Sequence, residues 1–577
     1  MSTPATTTAA APAPPSRWLH GPVSDLLLGC GALYFVFFLA QSLAGDAMRG
    51  LLPMALAPLI TLAVSVPHYG ATLLRVMERP ADRRTYGRAT TWTTVTALVA
   101  LFVGLRVPLL GAWIVTLYLT WSPWHYSGQN YGIGMMFLHR RGVQVSPVAQ
   151  RLYKWSFWLA FVLAILAIHG PSPIAEYSAP GLAAADFNFK PLGIPVGIRD
   201  ALFIGFGAAY VVTVVLSFVH LRRGAVGCER GALLPAFAIV ATQALWFVAP
   251  AIVRRWDLLP SIEPLSRDEP AYSFLWVAVG HALQYLWITT YFAERSGAAP
   301  SRVRYLGKAM TAGIVAWALP ALVFAPGLLG DVPFDAGLGI LVASVVNLHH
   351  FVIDGVIWKL RKGRIARVLL RRATPEEQPS DSTPPTESPH SPARRWAWPA
   401  LGALGALLAA ASAFSVVEEQ IGFQRSLDAQ PPRYERARVA SERLRWFGRE
   451  SAQRETRLGM AALALRRPDE AERAFVRAVE IDPSVVAWLG LGVLRRTRRD
   501  ASGARAAFDA ALKIDARHPA ALLCAAQLDV AEGHTTSATE RLRAAIREAD
   551  VRRDIPEDKR RNVARTAQRL LMTLDAR

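Results

Sequence analysis

The sequence predicts an all-α protein: a polytopic bundle of about eleven transmembrane helices followed by a domain of repeated helices. Three observations predict it. The 577 residues are 52% hydrophobic, which is high for a soluble chain of this length. Apolar runs recur with the 17–25 residues that a bilayer crossing needs. From Glu418 onward the composition turns to Ala, Arg, Leu and Glu with helical periodicity and an internal repeat.

Residues 1–22 open with "MSTPATTTAAAPAPPSRWLH", a Pro/Ala/Thr tail without an apolar h-region. It reads as a disordered leader rather than a cleavable signal, which leaves targeting to the first span. Residues 23–360 read as the membrane domain, with spans expected near 24–44, 51–75, 88–106, 107–137, 150–170, 201–220, 231–253, 271–294, 308–330 and 335–358. Residues 361–395 begin basic and continue as "RRATPEEQPSDSTPPTESPHSPARR", a Pro/Ser/Thr/Glu stretch that reads as a disordered cytoplasmic linker. An eleventh span is expected at 396–417, and residues 418–577 form the repeat domain.

The formal net charge is +20, from 64 Lys and Arg against 44 Asp and Glu. The basic residues gather between the apolar runs, as in Arg75, Arg79, Arg83, Arg84 and Arg88, in Arg140 with Arg141, in Arg222 with Arg223, and in Lys359, Arg361, Lys362 and Arg364. These clusters follow every second span, the pattern of the positive-inside rule. They place the N-terminus in the cytoplasm and, with eleven spans, the repeats outside it. A basic balance spent on membrane topology argues against a nucleic-acid partner and for the lipid bilayer. Cys30, Cys228 and Cys524 lie far apart and form no CxxC, which argues against a disulfide framework or a structural zinc site. The arginine- and alanine-rich composition, without eukaryotic targeting signals, suggests a bacterial inner membrane.

In the repeat domain "DEAERAFVRAVEIDP" at 469–483 aligns with "SGARAAFDAALKID" at 502–515, so that Ala474, Phe475, Ala478 and Ile481-Asp482 recur at Ala507, Phe508, Ala511 and Ile514-Asp515. A weaker copy, "SATERLRAAI", puts Leu542 and Ala545 in the same phase. The spacing of about 33–34 residues resembles that of tetratricopeptide repeats. That resemblance covers roughly 455–550 and implies an α-solenoid that binds a protein or peptide partner.

Histidines carry the functional signal. His68, His125, His281, His349 and His350 sit within apolar runs, on the second, fourth, eighth and tenth expected spans. They precede the cytoplasmic basic edge by seven to fifteen residues, which places them about 10–22 Å above it. Hydrocarbon penalises every unpaired polar group, so such residues mark a shared polar site. Polar neighbours occur at helical spacing: Gln129 four residues after His125, Gln284 and Tyr285 beside His281, and Asn347 and Asp354 flanking His350. The expected metal ligands are His68, His125, His281, His349 and His350, supported from a second layer by Asp354, Gln129, Gln284, Asn347 and Tyr285. Neutral imidazole suits iron, copper or zinc, and either non-haem iron or a bis-histidine haem would use these residues.

The desaturase and hydroxylase motifs HxxxH and HxxHH are missing; only the His349-His350 pair occurs. The histidines scattered over roughly 60–355 are similar to those of the Brp/Blh carotenoid-cleaving oxygenases, multi-span proteins with histidines on several helices around iron. The resemblance implies redox or oxygenase chemistry on a lipophilic substrate. Three rival readings stand beside it. One is a non-catalytic scaffold presenting the repeats. Another is a transporter in which histidines and Asp354 relay protons. The third is a polyprenyl-sugar-dependent glycosyltransferase, whose acidic outer loop would here contain only Asp46.

Overall fold

The computed structural model describes residues 17–51, 57–171, 187, 189–259, 270–296, 301–326, 328–330, 332–358, 363–370, 392–552, 555 and 557–575. They are predominantly helical, with no β-strand among them. The chain divides into two compact units: the first holds residues 1–321 and 339–412, the second 322–338 and 413–577. The 322–338 segment therefore groups with the C-terminal residues, whereas the sequence reading assigned it to the membrane domain.

In the first unit α1 (Pro22–Gly29) and α2 (Ala32–Ala44) form a bent pair. They are followed by α3 (Ala57–Met77), α4 (Pro80–Arg106), α5 (Pro108–Arg140), α6 (Pro147–Ile168), α7 (Val196–Gly224), α8 (Leu234–Trp256), α9 (Pro270–Arg295), α10 (Arg302–Val323), α11 (Gly339–Ile357) and α12 (Gly363–Leu370). Helix α13 (Pro392–Val417) continues the order. By length and composition eight of the helices described can cross a membrane, or nine if the bent pair is one span. Eleven were expected. The remaining two, α5 and α9, are 33 and 26 residues long, but their apolar runs are diluted by the polar residues around His125 and His281. Several helices turn bulky apolar side chains outward, among them Trp92, Val99 and Phe102 on α4 and Val211, Val215 and Val219 on α7. Such exposed faces suit a lipid environment rather than water.

The bend between α1 and α2 has a local cause. Gly31 adopts φ +76, where a side chain would be strained, and the Thr242 hydroxyl donates to the Cys30 carbonyl at 2.8 Å. Just before it, the Asp25 carboxylate accepts from the backbone N–H of Leu19 and His20 and from the Trp287 indole. Residues 17–22, read from sequence as part of a disordered tail, are thereby fixed against the bundle. Leu19 is buried and the Arg141 guanidinium lies 3.9 Å over the Trp18 ring. Similarly, residues 363–370, read as linker, form the helix α12. Its Ile365 and Leu369 are buried in the core, and Arg140 donates to the Leu369 carbonyl at 2.8 Å. The basic residues 359–362 and the linker stretch 371–391 lie outside the described residues.

Helix α3 is the hub of the site. It is buried without a break from Val66 to Thr72, because α10 approaches it closely. A Cβ at Gly70 would be driven into the Ala309 carbonyl, and one at Gly313 into that of Val66. No bulkier residue keeps this spacing.

The second unit has its own cores. Helices α14 (Tyr434–Trp446), α15 (Ala452–Ala464), α16 (Pro468–Ile481), α17 (Val485–Thr497), α18 (Ala501–Ile514), α19 (Pro519–Ala531), α20 (Thr535–Val551) and α21 (Glu557–Asp575) follow one another with short turns. Phe475 and Phe508 are fully buried among small residues of neighbouring helices.

Replacing Gly70 with valine should lower the detergent-phase unfolding temperature of the full chain and loosen α3, at a cost of about 1–3 kcal/mol or more. Phe475→Ala should cost about 3–5 kcal/mol and open the second unit to limited proteolysis. Wild-type stability in both variants would contradict the packing described.

Candidate metal centre

Four helices each place one imidazole at a common point: His68 from α3, His125 from α5, His281 from α9 and His350 from α11. The ring centroids of His68 and His350 are 4.6 Å apart, those of His125 and His350 4.9 Å, those of His125 and His281 5.0 Å, and those of His68 and His281 5.4 Å. Ring nitrogens of His68, His281 and His350 lie within 4.8 Å of one another, as do the donor atoms of His125, His350 and Asp354. Trans ligands at bond lengths near 2.1 Å stand about 4.2 Å apart, so small side-chain movements would bring either group around one ion.

The hydrogen bonds aim the nitrogens inward. His68 Nδ1 bonds the Ser65 carbonyl oxygen. A carbonyl only accepts, so Nδ1 carries the hydrogen and Nε2 keeps its lone pair free. His350 Nδ1 lies 2.8 Å from Thr72 Oγ1, which itself donates to Asp354 Oδ1 at 3.1 Å. Thr72 Oγ1 also meets the Tyr285 hydroxyl at 2.7 Å; when its one hydrogen goes to the carboxylate, it accepts from His350 Nδ1, and His350 Nε2 is then left bare. Tyr285 adds a second donor to Asp354 Oδ1 at 2.7 Å and accepts from the Trp358 indole at 3.0 Å. The other carboxylate oxygen, Oδ2, faces His350 Nε2 at 3.6 Å and His125 Nε2 at 3.9 Å.

Nε2 of His68, His125 and His350, and both ring nitrogens of His281, have no hydrogen-bond partner in the structure. The rings are held by their faces instead: Tyr126 stacks on His281 at 4.1 Å and Phe351 on His125 at 4.3 Å. Buried, unpartnered nitrogens within 4.8 Å of one another, with a carboxylate oxygen beside them, could serve as donors to a metal ion. Outer groups that fix each tautomer are the usual companions of such ligands.

The structure redistributes several roles expected from sequence. His349 turns away and meets Thr94 Oγ1 at 3.0 Å on α4, because one residue along a helix rotates the side chain by about 100°. Gln129 donates to the His281 carbonyl and to Gln284 Oε1, and Gln284 donates to the Gly29 carbonyl. These two amides tie α1, α5 and α9 together and bond no imidazole. Asn347 accepts from the Tyr69 hydroxyl at 3.0 Å and also lies outside the donor set. Asp354, expected in the supporting layer, leaves His350 Nδ1 to Thr72 and presents its second oxygen to the cluster. Tyr285 does support the site, through Asp354. Thr72 was missed, although its spacing of four residues after His68 marks it.

No protein-family model, curated protein or solved structure matches the chain.

Thr72→Val keeps the shape but removes the hydroxyl shared by His350 and Asp354. It should weaken binding of added divalent metal by about 10–100-fold, measured by equilibrium titration, whereas His349→Ala should leave it within experimental error. The reverse ranking would contradict the assignment.

Proposed function

We propose that the chain is a multi-pass membrane enzyme with a non-haem metal centre, iron by preference, that carries out redox or oxygenase chemistry on a lipophilic substrate. One observation carries this reading: buried, unpartnered nitrogens of His68, His125, His281 and His350 converge beside the free oxygen of Asp354. A cluster serving only to knit helices together would pair these nitrogens with donors, as Gln129 and Gln284 are paired nearby. The His125, His350 and Asp354 group has the two-histidine, one-carboxylate composition common to non-haem iron oxygenases. Such an ion, when bound, supplies a redox-active centre at which dioxygen and substrate can react. Haem is less well supported, since rings from four helices occupy the space that a porphyrin between two axial histidines would need. The reading agrees with the similarity to Brp/Blh-type oxygenases suggested by the sequence.

The remaining assignments belong to the same proposal. All eleven long apolar segments cross the bilayer, with the N-terminus cytoplasmic and the C-terminal domain periplasmic in a bacterial inner membrane. The tetratricopeptide-like reading of the second unit, and hence of a protein or peptide partner, is supported by its geometry. Helix pairs begin at Ala452, Val485 and Pro519, and Phe475 and Phe508 fill equivalent buried positions.

The test is metal analysis with optical and electron paramagnetic resonance spectra of protein purified in detergent without chelator. Wild type should carry stoichiometric iron, or take it up as iron(II), and His281→Ala and His350→Ala should lose it while remaining folded by circular dichroism. A folded wild type that binds no transition metal would overturn the reading.

A further inference from the structure

A cavity of about 330 Å³ lies against one side of the histidine cluster, between α5, α9, α11 and α12. Of the five candidate donors only His125 and Asp354 line it; His68, His281 and His350 stand behind them. The cluster therefore has a protein-filled back and an open front. Aromatic rings form much of the front wall, with Trp121 and Trp124 on α5, Phe351 on α11 and Trp358 beyond its end. Such faces favour flat, apolar groups, which stack against them in offset or edge-on fashion.

Three glycines set the width. Gly128 and Gly132, one turn apart on α5, and Gly355 on α11 all line the cavity, and an added Cβ at any of them would meet nothing within 4 Å. Helix–helix approach does not require glycine at these positions, in contrast to Gly70. Glycine in a helix interior also costs about 0.5–1 kcal/mol relative to alanine. Their common feature is the space they leave open.

We infer that this cavity receives a flat, ring-bearing end of a lipid-soluble substrate, with Gly128, Gly132 and Gly355 setting the cross-section admitted to the His125–Asp354 face. The inference rests on the metal-centre reading for its chemistry but not for its binding. Ile365 and Leu369 of α12 line the cavity as well, which adds to its apolar wall. Polar groups suited to a charged or strongly hydrophilic ligand are few, confined to Gln129, Tyr285 and the two donors.

Benzophenone, a two-ring apolar ketone that photo-crosslinks to nearby C–H bonds and favours methionine, tests this on the full-length protein in nanodiscs. Met136 lines the cavity and is fully buried. Irradiation should label Met136 in wild type, and Gly132→Phe and Gly128→Leu should reduce that labelling to about a tenth by filling the volume. Metal content, measured on the same samples, should be unchanged in both variants, since neither residue is a donor. Labelling confined to outward-facing residues such as Met77, or equal at Met136 in wild type and both variants, would overturn the inference. A wild type that labels Met136 but binds no metal would sink the metal-centre reading alone. One that binds metal without labelling Met136 would sink the cavity assignment alone.

Discussion

Burial without a partner is the constraint on which this structure turns. Each polar atom buried without a hydrogen bond costs about 1–3 kcal/mol, and the four clustered histidines carry five such nitrogens. A neutral imidazole carries one N–H and one lone pair, and none of these five nitrogens is hydrogen-bonded to another. A cation, as proposed, would accept several of these lone pairs together. The surrounding structure is consistent with that role: Ser65 and Thr72 take up the outward-facing Nδ1 of His68 and His350, which leaves the inward nitrogens available.

The rest of the first unit can be read as support for that point. Small residues bring α3 and α10 together and bury the α3 face that carries His68 and Thr72. The bend after α1 places the Gly29 carbonyl where Gln284 can bond it, which fixes the turn of α9 that carries His281. Trp358 holds Tyr285, Tyr285 and Thr72 hold one oxygen of Asp354, and the other oxygen is left to the cluster. Apart from that oxygen, the polar side chains nearby are largely bonded to one another, so the unpartnered nitrogens stand out against a paired background.

Much of this was legible in the sequence, for a physical reason. A histidine within an apolar run is costly, so its presence alone is informative, and equal depth on parallel spans singled out His68, His125, His281 and His350. Depth says nothing about azimuth. It could not separate His350 from His349, which faces α4, and it could not show that Gln129 and Gln284 bond each other. Thr72 escaped notice because threonine is common in membrane helices and bonds its own backbone there. The helical class and the recurrence of Phe475 at Phe508 follow from strong periodicity. By contrast, the grouping of residues 322–338 with the C-terminal unit and the packing of α12 depend on contacts distant in sequence.

The proposed function depends on the histidine cluster, beside Asp354, holding an ion. X-ray absorption spectroscopy at the iron edge of the purified, iron-loaded protein addresses it most directly. Such a centre should show a first shell of nitrogen and oxygen at about 2.0–2.2 Å with the outer-shell scattering of several imidazoles, and a loss of that scattering in His68→Ala. A first shell without imidazole, or one unaltered by His68→Ala, would contradict it.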